Sequence, residues 1–133
     1  VAATTWLLVA ADYTTTNVKV QESEPDSLLN WHKKLIAMRR SAPTLRDGKQ
    51  VMLDETNPSV LSYVRQGVGG KPAIVVALNF TDEPRTITLD PATAGVTGKT
   101  VSTLVTDAPS LKQASSLQNL TLPPYASWVG SVQ

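Results

Sequence analysis

Few side chains in this sequence have the type and spacing that catalysis or metal binding needs. His32 is the only histidine among the 133 residues. A histidine-based metal site uses several imidazoles, and a Ser-His-Asp triad needs two partners that no pattern places around His32. His32 directly follows Trp31 in an amphipathic segment, so we interpret it as a structural or surface side chain.

Two adjacent acidic pairs, Asp54-Glu55 and Asp82-Glu83, were considered as acid and base. That chemistry needs two carboxylates that face each other across a bond. Both pairs lie beside asparagine or proline in predicted turns, where neighbouring side chains point apart. No cluster of oxygen ligands suits calcium, and the absence of cysteine excludes disulfides and thiolate sites. We therefore expect no catalytic residue, no metal and no cofactor in this chain.

Exposed aromatic rings could stack beneath a flat ligand such as a sugar ring. The candidates are Trp6, Tyr13, Tyr63, Tyr125 and Trp128. Trp128 lies in an alternating strand and Trp31 on a helical stripe, which favours core packing for both. Trp6 differs, because the segment around it has no obvious core of its own.

One helix is predicted, from Ser23 to Arg40. Ser23 and Asp26 resemble a capping box, and Pro25 is tolerated in a first turn. An apolar stripe recurs at three- and four-residue spacing, and Pro43 ends the helix; its members are Leu28, Trp31, Leu35, Met38 and Ala42. The preceding segment, Val1 to Glu22, shows no sustained period and is predicted to be an extended loop.

After Ser41 the sequence predicts seven or eight short strands in an antiparallel β-sandwich. Val60 to Gln66 alternates, with Val60, Ser62 and Val64 on one face. Ala73 to Phe80 is almost wholly apolar, which is typical of a strand buried on both faces. Asp82 to Pro84 is predicted to close a hairpin onto Arg85 to Leu89. The remaining strands are Lys49 to Leu53, Val101 to Val105, Leu117 to Leu122 and Tyr125 to Val132.

Composition excludes several classes of partner. Twelve basic and eleven acidic residues give a formal charge of +1, without the basic stripe expected for nucleic acid. The longest apolar runs are too short to span a bilayer. No signal peptide is visible, and because Val1 is not an initiator methionine we expect a chain cut from a longer product. The compartment stays open between cytoplasm and periplasm, in what we expect to be a bacterial protein.

The order of segments resembles the end of bacterial α-glucosidases and oligo-1,6-glucosidases of the α-amylase superfamily. The resemblance extends over nearly the whole chain. It rests on Trp6-Leu7-Leu8-Val9, Asp12-Tyr13, Asn17-Val18, Gln21, residues 25–31, residues 34–40, residues 43–48, residues 75–84 and residues 120–129.

The resemblance implies two parts. Residues 1–47 would form a terminal loop and the last outer helix of a (β/α)₈ barrel, and residues 48–133 the C-terminal β-sandwich. The parent enzyme would cleave α-glucosidic bonds with retention, through an aspartate nucleophile and a glutamate acid/base. None of the catalytic motifs has a counterpart here, so no catalytic residue is transferred. The family has prolines around the Trp-Leu pair; Thr5 and Leu8 replace them, which weakens the expectation that Trp6 reaches the rim of the substrate site.

Three hypotheses remain open. The first is a non-catalytic C-terminal part that stabilises the upstream barrel, whose substrates are α-glucosides. The second is a carbohydrate-binding β-sandwich that uses Tyr125 and Trp128. The third is a catalytically silent glucosidase-like domain, as in amino-acid transporter heavy chains, which needs a membrane segment upstream. For the isolated chain we also expect self-association, because the stripe at Leu28, Trp31 and Leu35 would lack its barrel.

Overall fold

The computed structural model describes residues 6–98 and 100–133. The chain divides into two compact units, with Met38 the last residue of the first and Arg39–Gln133 forming the second. The boundary between residues 47 and 48 that the sequence suggested stays a prediction.

The first unit contains helix α1, Val18–Ser23, and most of helix α2, Leu28–Ser41. Asn17 caps α1, since its side chain accepts a hydrogen bond from the Val20 amide at 3.0 Å. The prediction of an extended loop as far as Glu22 is therefore wrong for α1. A helix this short has too few turns to produce a hydrophobic period. The capping residue Asn17 was therefore the signal in the sequence that could have indicated it.

The start of the predicted helix also needs correction. Ser23 is the last residue of α1 and not a cap of α2. The cap is Ser27, whose hydroxyl accepts a hydrogen bond from the Asn30 amide at 3.2 Å. Pro25 lies in the intervening turn rather than in the first helical turn. From Leu28 to Arg40 the predicted helix is confirmed, and none of the residues of α2 is buried.

The second unit begins with the end of α2 and with a short helix α3, Pro43–Asp47. Pro43 stands at the first position of α3, where its missing amide hydrogen costs nothing. Thr44 and Leu45 are buried, and the Thr44 hydroxyl donates to the Pro72 carbonyl at 3.0 Å. These contacts hold α3 against the start of a central strand.

Seven strands follow in the described part of the second unit, and every observed pairing is antiparallel. The strands are β1 Gln50–Met52, β2 Val60–Arg65, β3 Ala73–Asn79, β4 Arg85–Ile87, β5 Val101–Thr106, β6 Leu120–Leu122 and β7 Ser127–Val132. Five form one sheet in the order β1-β2-β3-β7-β5, and two form a second sheet, β4-β6. The predicted antiparallel sandwich is confirmed.

The predicted hairpin at Asp82 to Pro84 is wrong. β3 pairs with β2 and β7, whereas β4 pairs with β6 in the other sheet. The short turn therefore passes the chain from one sheet to the other. A turn signal shows that the chain reverses but not which strand becomes the neighbour, because pairing depends on contacts distant in sequence.

The core lies between the two sheets. On β2, Val60, Ser62 and Val64 are all buried, as the alternation predicted. Trp128 is fully buried, and its indole N–H donates to the Thr103 hydroxyl at 2.9 Å. The ring covers Gly130: a Cβ there would lie 2.2 Å from Trp128 Cη2, so only glycine permits this close approach.

Candidate functional site

The side chains considered for catalysis are engaged in local structure. His32 is exposed, and its Nδ1–H donates to the Leu28 carbonyl oxygen at 2.9 Å, one turn back on the same helix. That bond fixes the ring against α2. It needs no ligand or substrate to explain it.

One carboxylate of each acidic pair is engaged in a local contact. Asp54 Oδ1 accepts hydrogen bonds from the Thr56 hydroxyl at 2.9 Å and the Thr56 amide at 3.2 Å. The bond from the Thr56 hydroxyl is the main reason that the pKa of Asp54 lies below its usual value. Glu83 pairs with Arg85 at 3.0 Å on an exposed surface. These contacts explain Asp54 and Glu83 without an acid/base role.

Within residues 6–98 and 100–133, no group of three or more His, Asp or Glu side chains is arranged to hold a metal ion. None of the helices in these ranges has the length and apolar character to cross a bilayer.

The aromatic candidates separate by exposure. Trp128 has 0% of its surface exposed, so it cannot offer a face to a sugar, and this part of the binding-module hypothesis is corrected. Tyr63 is half-buried in β2. Tyr13 and Tyr125 are exposed, and Trp6 is 92% exposed. That Trp6 lies near the rim of a substrate site stays a prediction.

Asn79, at the end of β3, is the best-connected polar side chain of the sandwich. It is buried, and its Nδ2 donates to the carbonyls of Glu83 at 2.8 Å, Pro123 at 2.9 Å and Leu122 at 3.3 Å. Its Oδ1 accepts from the amide and hydroxyl of Thr81, at 3.0 and 2.8 Å. The Asn79 side chain therefore links two connections: the one that follows β3 and the one between β6 and β7.

Sequence analysis missed this role for Asn79. An asparagine at a strand end, followed two residues later by threonine, is a signal for a side-chain turn that could have suggested it. The Nδ2 bonds to residues 122 and 123 have no local signal, because they join positions more than forty residues apart.

Beside Asn79 lies an apolar surface that we call the aromatic end, made of the exposed Leu61 and Phe80 and the half-buried Leu78. Leu61 pairs with Leu78 across β2 and β3, and the Phe80 amide continues this ladder to the Ser59 carbonyl at 2.9 Å. The Tyr125 amide donates to the Thr81 carbonyl at 3.0 Å. Phe80 is 63% exposed and Tyr125 67% exposed.

A shallow hollow of about 150 Å³ adjoins the aromatic end. Met52, Pro58, Leu61 and Phe80 supply apolar lining, and Asp54 and Glu55 supply acidic lining. Apolar side chains and two carboxylates therefore line the same hollow.

No family model matches the chain. Over 80 residues it is 38% identical to the trehalose synthase of Pimelobacter sp. (strain R48). The aligned region covers 59% of this chain and 14% of the relative. Over 80 residues it is 34% identical to the probable oligo-1,6-glucosidase 2 of Bacillus subtilis (strain 168), covering 60% of this chain and 14% of the relative.

The fold is similar to part of a solved structure, the trehalulose synthase MutB from Pseudomonas mesoacidophila MX-45. The TM-score is 0.82 at 29% identity, over 96% of this chain and 22% of MutB. The matches lie in the C-terminal region of the relatives, which are α-amylase-family enzymes, and the resemblance noted from the sequence is confirmed. The chain spans 14% of the length of each of these two curated relatives.

Proposed function

We propose that this chain is the non-catalytic C-terminal part of an α-amylase-family enzyme that acts on α-glucosidic bonds, and that it stabilises the catalytic barrel. The supporting observation is the match of nearly the whole chain to 22% of MutB. In this proposal residues 1–47 supply the terminal loop and last outer helix of the barrel, with Trp6 towards its rim. Residues 48–133 are the sandwich packed behind it.

The chemistry of the family supports an inactive chain. Retaining glycosidases need two carboxyl groups about 5 Å apart, on opposite sides of the bond that is cleaved. Barrel enzymes place such groups at the C-terminal ends of barrel strands. The acidic pairs Asp54-Glu55 and Asp82-Glu83 instead belong to turns of a sandwich. Catalysis is therefore assigned to the barrel and support to this chain.

The test compares this chain with the longer polypeptide that we propose contains it. Both are assayed with maltose, isomaltose and a nitrophenyl α-glucoside. Turnover is expected for the longer polypeptide and none above background for residues 1–133. Turnover by residues 1–133 alone would overturn the proposal. A longer polypeptide that folds and has no turnover would favour the silent-domain hypothesis instead.

A second candidate function is carbohydrate binding by the sandwich itself, and the exposed ring of Tyr125 favours it. It predicts heat of binding when maltooligosaccharides are titrated into the chain, and loss of that heat in Tyr125→Ala. Tyr13→Ala is the matched control, since Tyr13 is also exposed but lies in the first unit. A flat titration with the unmodified chain would remove this candidate.

A further inference from the structure

An open hollow lies beside strand β6, and we call it the amide hollow because Gln113, Gln118 and Asn119 line it. Its volume is about 550 Å³, within the range of small-molecule sites, about 300–1,000 Å³. Residues of β6 and of the connections on either side of it form most of the wall, and Pro84 completes it. None of the described residues that line it has a charged side chain. The lining therefore favours a neutral ligand over an ion.

The three amide side chains of this hollow are not used by the fold. The chain has five asparagines and six glutamines. Seven of these eleven side chains, Asn79 among them, form hydrogen bonds within the structure. Across the described part of the chain the other four make no side-chain hydrogen bond, and three of those four are Gln113, Gln118 and Asn119. The amides that are available to a ligand are therefore concentrated at one place.

The backbone next to β6 holds two of these amides at the hollow. Asn119 has a φ of 54°, in the left-handed region, which asparagine adopts more readily than most residues. Its backbone amide donates to the Thr88 hydroxyl at 3.2 Å, and the Gln118 amide donates to the Ser116 hydroxyl at 3.0 Å. These bonds fix the turn through its backbone, so the side-chain amides of Gln118 and Asn119 are not needed to form it.

The chemistry of the lining suits a sugar. Primary amides both donate and accept hydrogen bonds, as the hydroxyl groups of a sugar do. Leu120, Pro123 and Pro124 add apolar lining next to the amides. A sugar ring has hydroxyl groups around its edge and apolar C–H groups on its faces, so it uses both kinds of lining at once. Anions and cations are bound through charged partners, and this lining supplies none.

We infer that the amide hollow binds a neutral oligosaccharide, with the side-chain amides of Gln113, Gln118 and Asn119 as its hydrogen-bonding groups. The inference deepens the second candidate function, carbohydrate binding by the sandwich, and rests on it. Pro124 of the hollow is followed directly by Tyr125, the exposed ring that favours that candidate. Because the proposed parent enzyme acts on α-glucosidic bonds, maltotriose is the probe.

The side-chain amides themselves can report on binding. Each gives its own pair of nitrogen–proton NMR signals, so maltotriose is titrated into the isotope-labelled 133-residue chain. The signals of Gln113, Gln118 and Asn119 should shift together along one saturating curve. The Asn79 signals should not shift, because that amide is bonded to three backbone carbonyls. The Gln133 signals should not shift either, because Gln133 lies outside the amide hollow.

Two substitutions test the assignment without disturbing the fold. Asn119→Gly removes the side chain and suits the positive φ, and Gln118→Ala truncates an exposed side chain. Together they should raise the dissociation constant for maltotriose about tenfold, because two hydrogen bonds to the ligand are lost. The matched control Gln133→Ala removes an amide outside the hollow and should leave that constant unchanged. A cooperative thermal transition in each variant shows that it is folded.

Three results would overturn the inference and leave the second candidate function standing. They are full affinity in the double variant, shifts confined to signals around Tyr125, and equal shifts of the three amides with inorganic phosphate. A titration of the unmodified chain that moves no signal would remove both the inference and the second candidate. The first proposal is tested separately, by the glucosidase assays on the longer polypeptide.

Discussion

The two units of this chain are stabilised by different kinds of contact. In the first unit the hydrogen bonds are local: Asn30 and Gln21, nine residues apart, join the end of α1 to the start of α2. None of the residues of these two helices is buried. In the second unit Asn79 bonds to Pro123, forty-four residues away, and a continuous set of buried side chains fills the space between the sheets.

This contrast indicates what each unit can do alone. Helices of six and fourteen residues gain most of their stability from tertiary packing of an apolar face. The first unit therefore needs a covering partner, as the proposed barrel would provide. The sandwich has a core of its own and should fold cooperatively. The predictions below test this difference, beginning with the largest effect.

Removing the central indole of the sandwich should have the largest effect. Trp128→Ala leaves a cavity beside Gly130 and removes the hydrogen bond to Thr103. We expect the free energy of unfolding to fall by about 3–5 kcal/mol, measured by chemical denaturation. Trp6→Ala, at a 92% exposed tryptophan of the first unit, is the control and should change it by less than about 0.5 kcal/mol. Similar losses for the two variants would contradict the contrast between the units.

Replacing Asn79 should lower the free energy of unfolding by less than replacing Trp128 does, but its effect should reach residues distant in sequence. Asn79→Leu removes the partner of the Thr81 amide and of the carbonyls of Glu83 and Pro123. We expect the free energy of unfolding to fall by about 2–3 kcal/mol, because buried backbone groups would be left without hydrogen bonds. Amide exchange should accelerate both near Thr81 and near Tyr125. Acceleration near Thr81 alone would show that Asn79 does not couple the two connections. Gln118→Ala, at an exposed amide, serves as the control.

A substitution in the first unit should act locally. Asn30→Ala removes the side-chain donor to the carbonyls of Gln21 at 2.9 Å and Glu24 at 2.8 Å. We expect a loss of about 1 kcal/mol in the local stability of the α1–α2 corner, seen as faster exchange of the Leu29 amide. Exchange in β3 and β7 should not change. A matching acceleration in those strands would mean that the two units unfold together.

The smallest effect concerns the turn at Asp54. Because hydrogen bonds from Thr56 hold the pKa of Asp54 below its ordinary value of 3.8, Thr56→Val should move that pKa upwards. A lowered folded-state pKa means that the stabilisation is complete above the unfolded-state pKa and is lost as the pH falls through the folded-state value. Carbon-detected NMR titration of the Asp54 carboxyl measures the change. A pKa that does not move would exclude the Thr56 hydroxyl as its cause.

Much of the sandwich was predictable because alternation along a strand is a local property. Val60, Ser62 and Val64 share one buried face as the sequence predicted, and β3 is buried on both faces. The prediction that Trp128 packs in the core is confirmed by its full burial. The helix start was wrong because Ser23 and Ser27 both have a hydroxyl suited to capping, and only the fold of the turn between them selects Ser27.

The candidate site was less predictable. The sequence predicts a turn at Asp82 to Pro84. However, β4 lies in the second sheet because it pairs with β6, more than thirty residues later in the sequence. Phe80 is not among the aromatic candidates, because the sequence predicts it at the end of a strand buried on both faces. Its exposure follows from where β3 ends, at Asn79, and from the turn that Asn79 stabilises.

By itself the sequence determined where most strands lie and which residues share a face. These properties depend on residue type and on spacings of a few positions. Only the tertiary structure decided which strands are neighbours, that Asn79 joins two distant connections, and that Phe80 and Tyr125 are exposed. Such properties arise because packing and hydrogen bonding between distant segments select one pairing among many that the local pattern allows.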